Sequence, residues 1–134
     1  MTSQSSNCIM RRHAKLRFGP SGVHIFDRIS GVNLLLDEFL PPQESWAAAP
    51  RQMSIALTNA CDLVCPHCFA PKTHAVLDFK TVVSWLVELD ANGTIGVGFG
   101  GGEPTLYPHF AELCSYAANK TGLASHVHDT RTSP

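Results

Sequence analysis

The second half of the sequence orders its periodic segments as strand, helix, strand, helix, and this order limits the folds the chain can adopt. Residues 53–57 form a short apolar run typical of a strand. Residues 79–89 repeat apolar side chains at helical spacing, with Asp78 as a candidate N-cap. Residues 95–99 predict a second strand and residues 108–120 a second helix. This order predicts an α/β fold with a parallel sheet.

Each predicted strand is followed directly by an unusual segment. CDLVCPHCF occupies residues 61–69, and GGGEP occupies residues 100–104. The carboxyl ends of parallel strands meet at one edge of a sheet, where α/β folds bind their ligands. We therefore expect the two segments to lie close together and to form a site.

The composition narrows the class of partner. The chain has 134 residues, 44% of them hydrophobic, and a formal net charge of -1 from 10 basic and 11 acidic residues. This balance gives no reason to expect binding to nucleic acid or to a membrane. The polar and basic amino terminus lacks the apolar run of a signal peptide, so we expect a cytoplasmic protein. In that reducing compartment, five cysteines favour metal binding or catalysis over disulfides.

The remaining segments complete the expected organisation. Residues 1–18 are polar and weakly periodic, which indicates a disordered leader. Residues 19–50 predict a small β-hairpin, with strands at 23–26 and 32–36, followed by a proline-rich linker. Residues 51–124 form the main unit. Residues 125–134 are polar and do not alternate, so we expect an aberrant tail without a strand.

Three thiols within eight positions suit one particular metal group. Cys61, Cys65 and Cys68 follow a C-x3-C-x2-C spacing. Three thiolates can hold three irons of a 4Fe–4S cluster and leave the fourth iron without a protein ligand. Glycines at 100–102 allow a backbone to approach a ligand closely, and Glu103 offers an acceptor for an ammonium group.

The alternative for the cysteines is a structural zinc site. A Cys3His set could be completed by His67 or His74, as in a small zinc-binding structural or interaction module. The alternative for GGGEP is an ordinary turn between a strand and a helix, with Glu103 in the first helical turn. A zinc site leaves GGGEP unexplained.

The combination of C-x3-C-x2-C after one strand and GGEP after the next resembles the amino-terminal part of a radical S-adenosylmethionine enzyme. His67 stands where that family usually has an aromatic residue. The resemblance implies a 4Fe–4S cluster and S-adenosylmethionine as cofactors, and reductive cleavage of S-adenosylmethionine to a 5′-deoxyadenosyl radical. By this resemblance the cluster ligands are Cys61, Cys65 and Cys68, and the S-adenosylmethionine motif is Gly101, Gly102, Glu103 and Pro104.

The resemblance also implies a fold and partners. The family core is a partial TIM-type barrel of six strand–helix units, of which residues 51–124 supply two. A reductant protein such as flavodoxin or ferredoxin is implied as a partner, while the substrate, a small molecule or a peptide, stays open. The hairpin and linker resemble the leading segment of some peptide- or cofactor-maturing members. We expect a truncated form, produced by a frameshift near Ser125, and the sequence leaves open whether this chain is itself an active enzyme.

Overall fold

The structure is a computed structural model that describes residues 13–128. In this range the chain forms two three-stranded sheets, one antiparallel and one parallel, with two α-helices. The elements are β1 (Ala14–Gly19), β2 (Gly22–Asp27), β3 (Asn33–Leu36), β4 (Gln52–Thr58), α1 (Phe79–Ala91), β5 (Gly96–Gly101), α2 (Phe110–Lys120) and β6 (Ala124–Val127), with short 3₁₀ helices at Gln43–Ser45 and Pro104–Leu106.

The parallel sheet has the strand order β4-β5-β6, and a helix connects each strand to the next. The predictions of an α/β fold, of its first two strands and of both helices are confirmed. Asp78 caps α1, because its side chain accepts a hydrogen bond from the Thr81 backbone N–H. The pairing of β4 with β5 shifts register between Ala56 and Thr58, so the ladder becomes irregular just before the cysteine segment.

The core lies between one face of the parallel sheet and the two helices. Successive strand residues point to opposite faces, so alternate positions of β4 and β5 are buried against the helices. The residues that share this core include Ile55, Leu57, Val82, Leu86, Val97, Phe99, Leu113 and Ala117. On the other face of β4, Ser54 and Ala56 are exposed. The sheet therefore has one packed face and one face open to solvent at β4.

The antiparallel sheet is larger than the predicted hairpin. β2 and β3 pair antiparallel, with Val23 opposite Leu36. β1 adds a third strand on the other side of β2. The prediction that residues 1–18 form a loose leader is therefore wrong for residues 14–18, and residues 1–12 lie outside the described part of the chain.

The basic residues of β1 explain why this strand escaped prediction. Lys15 forms an ion pair with Asp90 and donates to the Thr94 carbonyl. Arg17 donates to the Gly93 carbonyl at 2.8 Å. Both side chains are half-buried, whereas Leu16 between them is 57% exposed. The charged face of the strand points inward, opposite to the usual expectation from hydropathy.

The antiparallel sheet contacts the amino-terminal end of the parallel sheet. Gly93 and Thr94 precede β5, and Leu123 precedes β6. Arg28 donates to the Leu123 carbonyl at 2.9 Å and to the Ala118 carbonyl at 2.7 Å. This contact lies at the opposite end from the segments that follow β4 and β5.

The expected tail without a strand is also corrected. Ala124–Val127 is β6, which pairs parallel to β5 from Gly96↔Ala124 to Phe99↔Val127. Ser125, His126 and Val127 are exposed, so no burial pattern marked this strand in the sequence. Backbone hydrogen bonds hold it, among them Ala124 N–H to the Ile95 carbonyl at 2.9 Å. The rest of the predicted tail, residues 129–134, lies outside the described residues.

The helices in the described range are short. Neither α1 nor α2, nor any other helix between residues 13 and 128, has the length and apolar content needed to cross a bilayer.

Candidate cluster and cofactor site

The cysteine segment is a loop whose two ends are fastened together. At its start, Asn59 donates from its backbone to the Ala75 carbonyl at 2.9 Å and from its side chain to the Thr73 carbonyl at 3.0 Å. The Thr58 hydroxyl donates to the same Ala75 carbonyl at 3.2 Å. These bonds close the loop at its base, so the cysteines lie on a segment with a fixed entry and exit.

The three cysteines carry free thiols with different exposure. Cys61 and Cys68 are half-buried, and Cys65 is exposed. The Cys68 backbone N–H donates to the Cys65 carbonyl at 3.3 Å, which forms a turn around Pro66. The Leu63 backbone N–H points to the Cys61 sulfur at 3.4 Å. All three thiols therefore stand in a turn-rich loop, and a backbone N–H lies close to the sulfur of Cys61 and of Cys68.

Cys68 is the cysteine whose thiolate is most clearly favoured. A hydrogen bond from the Ala70 backbone N–H lowers the pKa of its thiol, and the Lys72 ammonium lowers it further. Lys72 Nζ lies 3.2 Å from Cys68 Sγ. Metals bind the thiolate form, so both donors favour the state in which Cys68 can act as a ligand. The spacing of the cysteines gave no sign of Lys72.

The glycine motif lies directly against the residues that lead into the cysteine loop. Gly102 N–H donates to the Thr58 carbonyl at 2.7 Å, and Glu103 N–H donates to the Ala60 carbonyl at 2.7 Å. Gly101 has a φ of +122°, a conformation that side chains disfavour. A Cβ atom on Gly102 would collide with the Ala60 carbonyl oxygen. Only glycine allows this approach, so the expectation that the two segments lie together holds for the backbone.

Glu103 is more deeply buried than a simple surface acceptor would be. The residue is only 1% exposed. Its Oε1 atom accepts hydrogen bonds from the Thr105 hydroxyl at 2.6 Å and from the Thr105 backbone N–H at 3.2 Å. The carboxylate thus caps the short helix Pro104–Leu106. Thr105 was not singled out in the sequence, because its contact with Glu103 depends on how the chain turns after β5.

The structure joins the two motifs but does not gather the thiols into a ligand set. Within residues 13–128, no three side chains among His, Cys, Asp and Glu are arranged to hold a metal ion. That finding applies equally to the three cysteines and to the Cys3His sets of the zinc alternative with His67 or His74. The roles of Cys61, Cys65, Cys68 and of residues 101–104 stay predictions.

Comparisons with known proteins identify relatives of the chain. Mycofactocin maturase MftC of Mycobacterium tuberculosis is 32% identical over 109 residues, which are 78% of this chain and 27% of that protein. PqqA peptide cyclase of Ruegeria pomeroyi is 34% identical over 88 residues, 63% of this chain and 23% of that protein. GTP 3′,8-cyclase of Chlorobaculum tepidum is 35% identical over 72 residues, 52% of this chain and 22% of that protein. The chain thus spans about a quarter of the length of these relatives.

A family match covers the site and the strands around it. The sequence model of the Radical SAM superfamily matches residues 55–133. The match includes the cysteine segment, the glycine motif and β6, and it continues past residue 124, where the likeness was expected to end. The match spans more than half of the chain, and the chain therefore belongs to the radical SAM superfamily.

Proposed function

We propose that this chain carries the cluster-binding end of a radical S-adenosylmethionine core. In this proposal Cys61, Cys65 and Cys68 hold a 4Fe–4S cluster, and the motif of Gly101, Gly102, Glu103 and Pro104 holds S-adenosylmethionine beside it. The observation that carries the proposal is the pair of 2.7 Å backbone hydrogen bonds that fasten Gly102 and Glu103 to Thr58 and Ala60, immediately before Cys61. Membership in the superfamily supports both cofactors.

The number and type of the thiols suit such a cluster, which would require them to converge from the positions they have in the structure. Three free thiols on one loop match the number of protein ligands that leaves one iron open. The fastened base of the loop limits the entropy lost when the ligands converge. Cys61, Cys65 and Cys68 would hold the cluster, which would supply the electron for reductive cleavage of S-adenosylmethionine to methionine and a 5′-deoxyadenosyl radical.

The chain's own residues have separable tasks in this arrangement. The thiolates bind iron, and Lys72 donates toward the Cys68 sulfur. Gly101 and Gly102 keep the backbone free of side chains where it meets the start of the cysteine loop. Thr105 fixes the orientation of the Glu103 carboxylate, the group proposed to receive the methionyl amine. We also propose that an active enzyme of this kind requires the other strands of the barrel. The relatives that match this chain are about four times as long as the matched region.

Anaerobic reconstitution with iron and sulfide tests the cluster. We expect about four irons and four sulfides per chain, and an electron paramagnetic resonance signal of the reduced cluster that changes when S-adenosylmethionine is added. Cys61→Ser should lose the cluster, whereas Cys114→Ser, a cysteine on α2 outside the loop, should keep it. One zinc without sulfide would favour the zinc-binding module instead, and a cluster unaffected by S-adenosylmethionine would contradict the cofactor site.

A peptide is the substrate class we propose for the full enzyme. One relative is named as a cyclase of the PqqA peptide. The hairpin and linker of this chain resemble the leading segment of some peptide- or cofactor-maturing members, which is compatible with a peptide substrate. The test compares 5′-deoxyadenosine formation with no addition, with a short peptide encoded beside the gene and with GTP. Stimulation by the peptide supports the proposal, and stimulation by GTP alone would contradict it.

A further inference from the structure

β6 and the residue that follows it place two imidazoles side by side on one face of the parallel sheet. His126 and His128 are separated by one residue, so both side chains point to the same face. Their Nε2 atoms lie 3.1 Å apart, and the ring centroids are 4.6 Å apart with the planes at 74°. The two ring nitrogens thus meet in a hydrogen bond on this face of the sheet.

A glycine beneath the rings leaves room for this convergence. Gly98 of β5 pairs with His126 and is buried. A Cβ atom at Gly98 would lie 2.7 Å from Nε2 of His126 and 2.8 Å from Nε2 of His128. Any larger residue would push the two nitrogens away. Gly100 differs, because a Cβ atom there would touch only His128 carbon atoms at 3.8 Å.

The distance between the nitrogens suits a shared cation. Two nitrogens bound to one metal at about 2.0–2.1 Å lie about 2.8–3.0 Å apart at neighbouring octahedral positions and about 3.3–3.4 Å apart in a tetrahedron. The observed 3.1 Å falls between these values. The two Nε2 atoms form a hydrogen bond, so one of them carries the ring hydrogen; if that ring carries its hydrogen on Nδ1 instead, both Nε2 lone pairs are free to bind a cation.

We propose that His126 and His128 chelate one divalent transition-metal cation, such as Ni²⁺ or Zn²⁺. Imidazole nitrogen is a preferred ligand of these ions. Both residues are exposed, so water can complete the coordination. No third metal-binding side chain joins them within the described residues 13–128, which predicts weaker binding than at a structural site with four protein ligands. The proposal involves neither the cysteines nor the glycine–glutamate motif, and it stands apart from the proposed function.

The test measures Ni²⁺ binding by isothermal titration calorimetry on the full chain. All variants carry serine at Cys61, Cys65 and Cys68, so that thiolates do not compete. His126→Gln and His128→Gln should each lower the Ni²⁺ affinity at least about tenfold, because each leaves a single imidazole. The double variant should bind Ni²⁺ almost as strongly as either single variant, since the two histidines act as one unit. His74→Gln, an exposed loop histidine outside the pair, should leave the affinity unchanged.

A second variant tests the geometry without removing a ligand. Gly98→Ala should weaken Ni²⁺ binding, because its methyl group separates the two nitrogens, while Gly100→Ala should not. The ring proton resonances of both histidines should broaden together as paramagnetic Ni²⁺ is added. Equal Ni²⁺ affinity in the parent and in both single histidine variants would overturn the proposal, as would Gly98→Ala binding as tightly as Gly100→Ala.

Discussion

At the scale of single residues, the site depends on close backbone approach and on one lysine. Gly102 meets the Ala60 carbonyl without a side chain between them, and Lys72 approaches the Cys68 sulfur. The sequence predicted the glycines, because close approach is what a glycine run allows. The position of Lys72 depends on the path of the loop, so the sequence did not predict its contact with Cys68.

Substituting Gly102 should damage the site, whereas its neighbour Gly100 should tolerate the same change. Gly102→Ala forces the backbone away from Ala60 and should cost about 1–3 kcal/mol of unfolding free energy. It should also abolish the spectral response of the cluster to S-adenosylmethionine. Gly100→Ala adds a methyl group at ordinary contact distance and should leave both properties intact. Urea unfolding and electron paramagnetic resonance measure these effects, and equal behaviour of the two variants would contradict the proposed contact.

Lys72 should tune the reduction potential of the reconstituted cluster. A cation that donates a hydrogen bond to a ligand sulfur stabilises the reduced, more negative cluster. Lys72→Gln should therefore shift the potential to more negative values in a potentiometric titration followed by electron paramagnetic resonance. Lys80→Gln, which removes an exposed lysine from α1, is the matched control and should leave the potential unchanged. A potential unaffected by Lys72→Gln would show that this lysine does not contact the cluster ligand.

At the scale of elements, the regular segments of the parallel unit followed their local signals. α1 begins after Asp78 and packs Val82 and Leu86 into the core, as the helical spacing predicted. β1 and β6 did not follow such signals. β1 turns Lys15 and Arg17 inward toward carbonyl partners, and β6 is held by backbone pairing to β5 while most of its side chains are exposed. Neither arrangement is encoded in local hydropathy.

The cap of α1 should contribute measurably to stability. Asp78 Oδ2 accepts hydrogen bonds from the Thr81 backbone N–H at 3.0 Å and from the Thr81 hydroxyl at 3.2 Å. Asp78→Ala should lower the unfolding free energy by about 1 kcal/mol, because it leaves a helix N–H without its acceptor. Asp78→Ser keeps an acceptor and should recover most of the loss in a urea titration. A serine variant as unstable as the alanine variant would argue against capping as the cause.

At the scale of the whole molecule, the antiparallel sheet lies at the end of the parallel sheet away from the cysteine loop. The contact depends on side chains that donate to backbone carbonyls, with Arg28 reaching both α2 and the residue before β6. β5 has six residues at about 3.3 Å each, so roughly 20 Å separate this contact from the glycine motif. The antiparallel sheet thus packs against the amino-terminal end of the parallel sheet and does not cover the proposed cofactor site at the other end.

Removing Arg28 should loosen the antiparallel sheet selectively. Arg28→Met retains the aliphatic stem but loses two hydrogen bonds from a charged donor, and it should cost about 1–3 kcal/mol. Hydrogen exchange should then accelerate in β1–β3, with little change in β4 and β5.

The control is Arg51→Met. Burial and the nearby Arg51 guanidinium lower the pKa of Arg17, so this control removes a repulsion and should not destabilise the sheet. Equally faster amide exchange in both sheets would contradict the idea that Arg28 holds the antiparallel sheet without stabilising the parallel one.

Local sequence patterns were enough to predict the first two strands of the parallel unit, its two helices and the cysteine and glycine loops that follow those strands. These features arise from periodicity, capping and glycine placement, which act over a few residues. Long-range packing sets four other features: Lys15 and Arg17 face inward, residues 124–127 form a strand, Lys72 contacts Cys68, and His126 and His128 meet over Gly98. Each of these depends on partners far along the chain or on the path of a loop, and local sequence patterns do not record such partners.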